Sequence, residues 1–398
     1  MAKSSKDLVA FNWHAIGLKM SLNANLQYLL RRRPLGKQYR SLWQVLHLDL
    51  ALIISLSILI ILGFFILYSA GNQHKSIIIS QAIHLSMAII VMVILAQISP
   101  NQLLRWTPLF YLLSLFLLFI VLLSGHTAKG AERWLNVAGF RFQPSELAKI
   151  AVPMMLAWYY NYRVLPPTLK DLVVSVAIIF IPALLVAKQP DLGTGIIIIL
   201  SGACILLFAG ILWRIIIGLF VMILAMLPVL WHVMKPYQKQ RVFTFLSPER
   251  DPLGSGYHII QSKIAIGSGG LWGKGWLHGT QAHLHFLPEH TTDFIFSVSA
   301  EEFGLLGSVI LIALYLLITG RGLYIASQAT NNFTRLLAAS ISLMFFLAAF
   351  INMAMVSGIL PVVGVPLPLV SYSGTSLMTL LAGFGILMSI HGHKRLYR

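Results

Sequence analysis

Long apolar runs separated by short polar or basic connections make up most of the chain. A bilayer core of ~30 Å needs ~20 apolar residues of helix per crossing. Ten segments fit that pattern: 49–71, 76–98, 106–124, 145–161, 172–188, 192–210, 214–234, 294–320, 335–357 and 375–391. Lipid offers no partner to a bare peptide group, so each must be helical. The pattern predicts an all-α, polytopic integral membrane protein.

Two stretches depart from the spanning pattern. SGILPVVGVPLPLVSYSGTS, between the ninth and tenth spans, holds three prolines and cannot cross as a regular helix. It is expected to be a re-entrant or irregular piece shielded by protein and lining a cavity. GYHIIQSKIAIGSGG mixes isoleucines with His258, Gln261 and Lys263, which suits a short amphipathic helix at the interface. The glycines from Gly267 to Gly279 permit close approach of a ligand or, equally, a flexible loop.

Composition excludes a soluble protein. Only 10% of the 398 residues are charged and the mean hydropathy is +0.81, against about 25% charged in soluble domains. The lone Cys204, in an apolar run, rules out an internal disulfide or a cysteine metal cluster. The net charge of +17 suggests nucleic acid first. Much of it lies in short connections and the N-terminal tail, which fits anionic lipid better.

Lysine and arginine also set orientation. Lys3, Lys6, Lys19, Arg31, Arg32, Arg33, Lys37 and Arg40 precede the first span and place that tail in the cytoplasm. An even number of spans returns the C-terminus to the same side. The expected organisation is a basic cytoplasmic tail over 1–48, a transmembrane domain over 49–391, and a cytoplasmic tail over 392–398. Residues 1–48 lack the pattern of a cleavable signal. Connections 125–144, 188–191, 235–293 and 358–374 then face outside. The long one, 235–293, carries cations against the positive-inside tendency. It is either a tolerated solvated loop or a surface that meets phosphate.

Ionisable residues at membrane depth are functional candidates. In QPSELAK, Glu146 and Lys149 stand three apart on one helical face and can pair. Such a pair either only tolerates burial or lines a polar cavity. Just before it, Lys129, Arg133 and Arg141 offer cations, and arginine forks match phosphate oxygens. Trp134 beside Arg133 is an interface anchor or part of the same site. KQPDLGTG places Lys188 and Asp191 at the start of the sixth span. Glu289, Asp293, Glu301 and Glu302 supply four of the chain's 12 carboxylates within fourteen residues. Asp293 stands at a helix N-terminus, where the dipole favours its ionised form. It can cap the helix or take a proton from a hydroxyl. Glu301 and Glu302 are expected two turns inside the eighth span, where they can pair with cations.

These segments together resemble the SEDS family of shape, elongation, division and sporulation proteins. The resemblance runs from residue 49 to 391 through RWL at 133–135, QPSELAK at 143–149, KQPDLGTG at 188–195, DPLGSGYHIIQSKIAIGSGGLWGKGWLHGTQ at 251–281, TDFIF at 292–296 and PVVGVPLPLVSYSG at 361–374. The proline in GVPLP is closer to the elongation branch than to the division branch. The resemblance implies a peptidoglycan glycosyltransferase that polymerises lipid II, a disaccharide-pentapeptide on undecaprenyl pyrophosphate. It implies Asp293 as catalytic aspartate and Glu146 with Lys149 in a central cavity. Arg133, Trp134, Lys274 and Glu289 fall in its motifs. It also implies a class B penicillin-binding protein as partner within the elongation machinery. Two positions depart: Thr291 stands where a histidine is common, and Ser373 replaces a glycine. A divalent cation, Mg2+ or Mn2+, suits a departing pyrophosphate, although no metal-ligand cluster is visible in the sequence. A lipid II flippase and a non-catalytic scaffold for the penicillin-binding protein are the rival readings. Polar residues gathered toward the outer side speak against the first, and the carboxylate cluster against the second.

Overall fold

The computed structural model describes residues 47–124, 126–128, 131–137, 140–234, 236–250, 255–284, 286–287 and 289–394. Each of the ten expected spans is a helix: α1 (Leu50–Ala70), α2 (Lys75–Gln97), α3 (Pro100–Ser124), α4 (Pro144–Asn161), α5 (Leu169–Lys188), α6 (Leu192–Phe208), α7 (Trp213–Val233), α11 (Ile295–Ser327), α12 (Asn332–Val356) and α13 (Thr375–Lys394). Among the described residues, α1, α2, α3, α5, α11, α12 and most of α13 are long and apolar enough to cross a membrane, and α6 is a shorter apolar helix. Local chemistry sets several starts. Asp49 caps α1 by accepting from the Leu52 N–H. Pro144 occupies the first turn of α4, where its missing N–H costs nothing. Thr168 and Asp171 form a reciprocal capping box on α5.

The long connection holds α8 (Pro236–Leu246), α9 (Ser255–Ser268) and the short α10 (Thr280–His283). The expected amphipathic helix is therefore present as α9. Between α3 and α4 the chain forms three short antiparallel strands, β1 (His126–Ala128), β2 (Ala131–Val137) and β3 (Phe140–Phe142), in sheet order β1-β2-β3. The all-α expectation thus holds for the spans, while this connection is a small sheet.

Two carboxylate contacts mark the ends of the bundle. At one end, Arg321 of α11 donates to both oxygens of Asp49 at 3.1 and 2.6 Å, and His391 of α13 approaches the same carboxylate at 3.2 Å. At the other end Ser69 of α1 donates to Glu302. Twenty residues of α1 separate these levels, about 30 Å at 1.5 Å per residue.

α11 is not one straight span. Gly304 has φ 63° and ψ −158°, which breaks it in two. α12 measures the direction of the first piece. Ser342 of α12 packs against Gly322, next to Arg321. Ten residues further, about 15 Å along the helix, Asn352 holds the backbone carbonyl of Asp293 at 2.8 Å. Asp293 therefore lies about halfway through the bundle, whereas Glu302 lies at its Ala70 end. Residues 295–303 run toward that end, and 305–327 return along α1. This corrects the expectation that Glu301 and Glu302 lie deeper than Asp293.

The glycine-rich loop after α9 satisfies the break. Leu305 and Leu306 N–H donate to Gly270 and Leu271 carbonyls at 2.9 and 3.2 Å; Lys274 and Gly275 N–H donate to Glu301 and Glu302 carbonyls at 3.0 Å. Gly273 has φ +81°, and a Cβ there would stand 2.1 Å from the Glu302 carbonyl. These glycines serve close approach to α11 itself.

The proline-rich segment is re-entrant, as expected. A Cβ at Gly63 of α1 would meet the Leu369 carbonyl at 2.9 Å, and Gly374 lies against the His84 ring of α2. Gly63 is seven residues from Ala70 and His84 nine from Lys75, so the segment reaches about 10–14 Å into the bundle.

Candidate functional site

The re-entrant segment is the centre of the site, and three helices and the loop before α11 position it. Tyr372 N–H donates to the Thr291 carbonyl at 2.9 Å, and the Ser371 hydroxyl donates to the Thr292 carbonyl at 2.5 Å. Asn352 donates to the Asp293 carbonyl at 2.8 Å and the Val365 carbonyl at 2.7 Å. Behind the segment, a Cβ at Gly193 of α6 would stand 2.4 Å from the Val363 carbonyl. From α2, Gln81 bonds the Ser371 carbonyl and Ser373 N–H, and Ser80 bonds the Tyr372 hydroxyl at 2.9 Å. Ser373 thus donates through its backbone, so the serine in place of glycine leaves this contact intact.

Asp293 lies just before α11, and the N-cap position falls on Phe294, which makes no side-chain cap bond. Its Oδ2 faces Gly364, where a Cβ would stand at 3.5 Å; Gly364 has φ +77° and so favours glycine on conformation as well as space. The next residue, Val365, lines a cavity of about 390 Å³, open mouth included. Glu146, Lys149, Met344, Pro366 and Thr379 also line it. Asp293 and this cavity are therefore neighbours across the Gly364–Val365 backbone.

Glu146 and Lys149 pair at 2.6 Å, as their spacing predicts, and both are buried. Among the described residues the second Glu146 oxygen and the adjacent Ser145 hydroxyl have no hydrogen-bond partner. Buried polar atoms normally find one, so the pair presents unused hydrogen-bonding capacity at the cavity. Asp191 caps α6 through the Thr194 N–H and accepts from Gln143 at 2.9 Å. QPSELAK and KQPDLGTG are thereby tied side by side. Lys188 is exposed at the last turn of α5.

Lys274 and Glu289 do not line this cavity. Lys274 pairs with Glu301 at 2.7 Å. Glu289 is exposed, has φ 52°, and accepts from the Thr292 hydroxyl at 2.9 Å. His258 of α9 stacks on Phe294, with ring centroids 6.0 Å apart. Burial holds its pKa below the usual histidine value, and the Glu289 charge opposes that. Arg133 and Trp134 lie on β2, and Lys129 lies outside the described residues. Sequence reasoning missed Asn352, Ser371, Tyr372 and Gln81. A polar Asn352 inside an apolar span was the available signal.

The model of a family described as cell cycle proteins, named for FtsW, RodA and SpoVE, matches residues 42–396. The peptidoglycan glycosyltransferase MrdB of Escherichia coli strain K12 is 51% identical over 358 residues, spanning 90% of this chain and 97% of that protein. The peptidoglycan glycosyltransferase RodA of Treponema pallidum is 32% identical, with 87% and 98% covered. Among solved structures, a chain from a peptidoglycan synthase complex that coordinates polymerization and crosslinking aligns with a TM-score of 0.76 at 33% identity, covering 86% of this chain and 97% of that one. The rod shape determining protein RodA of Thermus thermophilus aligns with a TM-score of 0.66 at 28% identity, covering 86% and 96%.

Proposed function

The chain belongs to the FtsW/RodA/SpoVE family of cell cycle proteins, and from that membership we infer a peptidoglycan glycosyltransferase of the bacterial inner membrane in which Asp293 is the base. It crosses the membrane several times, with the Ala70 end of the bundle outward and both termini in the cytoplasm. Its substrate is lipid II, and it serves elongation and rod shape. The observation that carries the assignment of Asp293 is its fixed backbone beside the cavity. Asn352, Ser371 and Tyr372 hold residues 291–293 against the re-entrant segment, one peptide from the wall that Glu146 and Lys149 share.

The Asp293 carboxylate takes the proton of the acceptor sugar's 4-hydroxyl. That oxygen attacks the anomeric carbon of the lipid-linked donor. The bond from that carbon to the diphosphate breaks, and undecaprenyl pyrophosphate leaves with the electron pair. Attack opposite the leaving group converts the α-linked donor to a β-linked product, as in inverting glycosidases with a sugar hydroxyl in place of water. Basic side chains of the outer connections neutralise the departing diphosphate. Among the described residues no three His, Cys, Asp or Glu side chains gather as metal ligands. The described residues therefore offer Mg2+ or Mn2+ no ready cage.

The partner is a class B penicillin-binding protein, and the test uses it. Lipid II polymerisation by the purified pair, with the transpeptidase blocked, is expected to give long glycan strands. Movement of lipid II across liposomes without polymer would support the flippase reading instead.

A further inference from the structure

We propose that Asn352 is a positioning residue for the glycosyl transfer, fixing Asp293 against the cavity wall. The inference rests on the reading of Asp293 as the base. Asn352 lies on α12 and is fully buried. Its amide nitrogen donates to two carbonyls from separate segments, Asp293 at 2.8 Å and Val365 at 2.7 Å. Both donors of one NH2 group are thereby used. The two carbonyls also fix which end of the amide is nitrogen, since an oxygen there would face both of them.

This fork joins what the chemistry must keep in register. Asp293 precedes the broken helix, and its Oδ2 faces Gly364; Val365, bonded to the same nitrogen, lines the cavity. The Asn352 oxygen has no hydrogen-bond partner among the described residues. A residue chosen for packing alone would avoid leaving a buried acceptor unpaired. Its two donors, not packing, account for an asparagine at this position. Displacing a reacting group by about 1 Å lowers a rate on the order of 100-fold without necessarily changing affinity.

The test is polymerisation by the full chain with its penicillin-binding partner, comparing wild type, Asn352→Leu, Ser340→Ala and Asp293→Ala. Ser340 is a control on the same helix: it is buried and bonds the Ser201 carbonyl, away from Asp293. Asn352→Leu keeps the shape and removes both donors. The expected result is a kcat lower by about 100-fold with KM for lipid II within about twofold. Ser340→Ala should keep wild-type kcat. If Asn352→Leu fails to fold, Asn352→Ser is read the same way and, retaining one donor, should fall between. A folded Asn352 variant with wild-type kcat overturns the proposal while Asp293→Ala stays inactive. Equal loss in Ser340→Ala also overturns it, because packing of α12 would then explain the effect. An active Asp293→Ala instead removes the base reading on which the proposal rests.

Discussion

Two buried glutamates in this chain each pair with a lysine at nearly the same distance, and they do opposite things. Glu301 meets Lys274 at 2.7 Å and Glu146 meets Lys149 at 2.6 Å. Glu301 is saturated: Lys274, the Thr280 N–H and hydroxyl, and the Gln281 N–H all donate to it. It fastens the glycine-rich loop and α10 to the broken helix. Glu146 spends one oxygen on Lys149, keeps the other unpaired among the described residues, and faces a cavity. Pairing alone therefore does not tell a site from a bolt; unused hydrogen-bonding capacity at a cavity does.

The largest effect separates the two in activity. Glu146→Gln with Lys149→Met keeps size and removes both charges, so the fold should survive. Polymerisation should nonetheless fall about 100-fold or more, the scale of losing a fixed electrostatic group in a closed site. Glu301→Gln with Lys274→Met should keep most of its activity per folded molecule. The reverse pattern in a polymerisation assay would invert the comparison.

Stability separates them next. Glu301→Ala takes the acceptor from the half-buried Gln281 N–H, at about 1–3 kcal/mol when left unmet, and from the exposed Thr280 N–H, which water can serve. The exposed part of Lys274 contributes little, because water screens it. A thermal melt in detergent should show a drop of several degrees for Glu301→Ala. An unchanged melt would mean that the loop is held elsewhere.

Gly273→Ala strikes the same bolt from the loop side. Its positive φ and the 2.1 Å approach to Glu302 predict a loss of more than about 1 kcal/mol. The same substitution at Gly267, inside α9 with nothing within 4 Å of a Cβ, is the control: alanine is the better helix former there, so the melt should not fall.

The smallest effect concerns His258. Its folded pKa is lowered by burial, so the unfolded chain binds more protons as pH falls through the ordinary histidine pKa. Its contribution is present above that pKa and is lost as pH falls below it. His258→Gln should flatten the melt-versus-pH curve slightly below about pH 6.5; an identical acid slope in both proteins would deny the shift.

The spans were legible because hydrocarbon enforces about 20 apolar residues per crossing, and each expected segment is a helix. The re-entrant segment was legible from Pro361, Pro366 and Pro368, and the Glu146–Lys149 pair from its spacing. The break in α11 was not, because residues 295–327 read as one apolar run and a lone Gly304 is tolerated in a helix. Its cause is tertiary: the loop of Gly269–Gly275 supplies the missing hydrogen bonds. For the same reason the sequence offers Glu301 only an unspecified cation as partner, without the loop that supplies it. Only the folded loop shows that one carboxylate is saturated.

The most direct test of the central claim is lipid II polymerisation by the purified chain with its transpeptidase-blocked partner, comparing wild type with Asp293→Ala. Long glycan strands from wild type and none from a folded, partner-bound variant are the predicted result. Equal polymer from both would contradict Asp293 as the base.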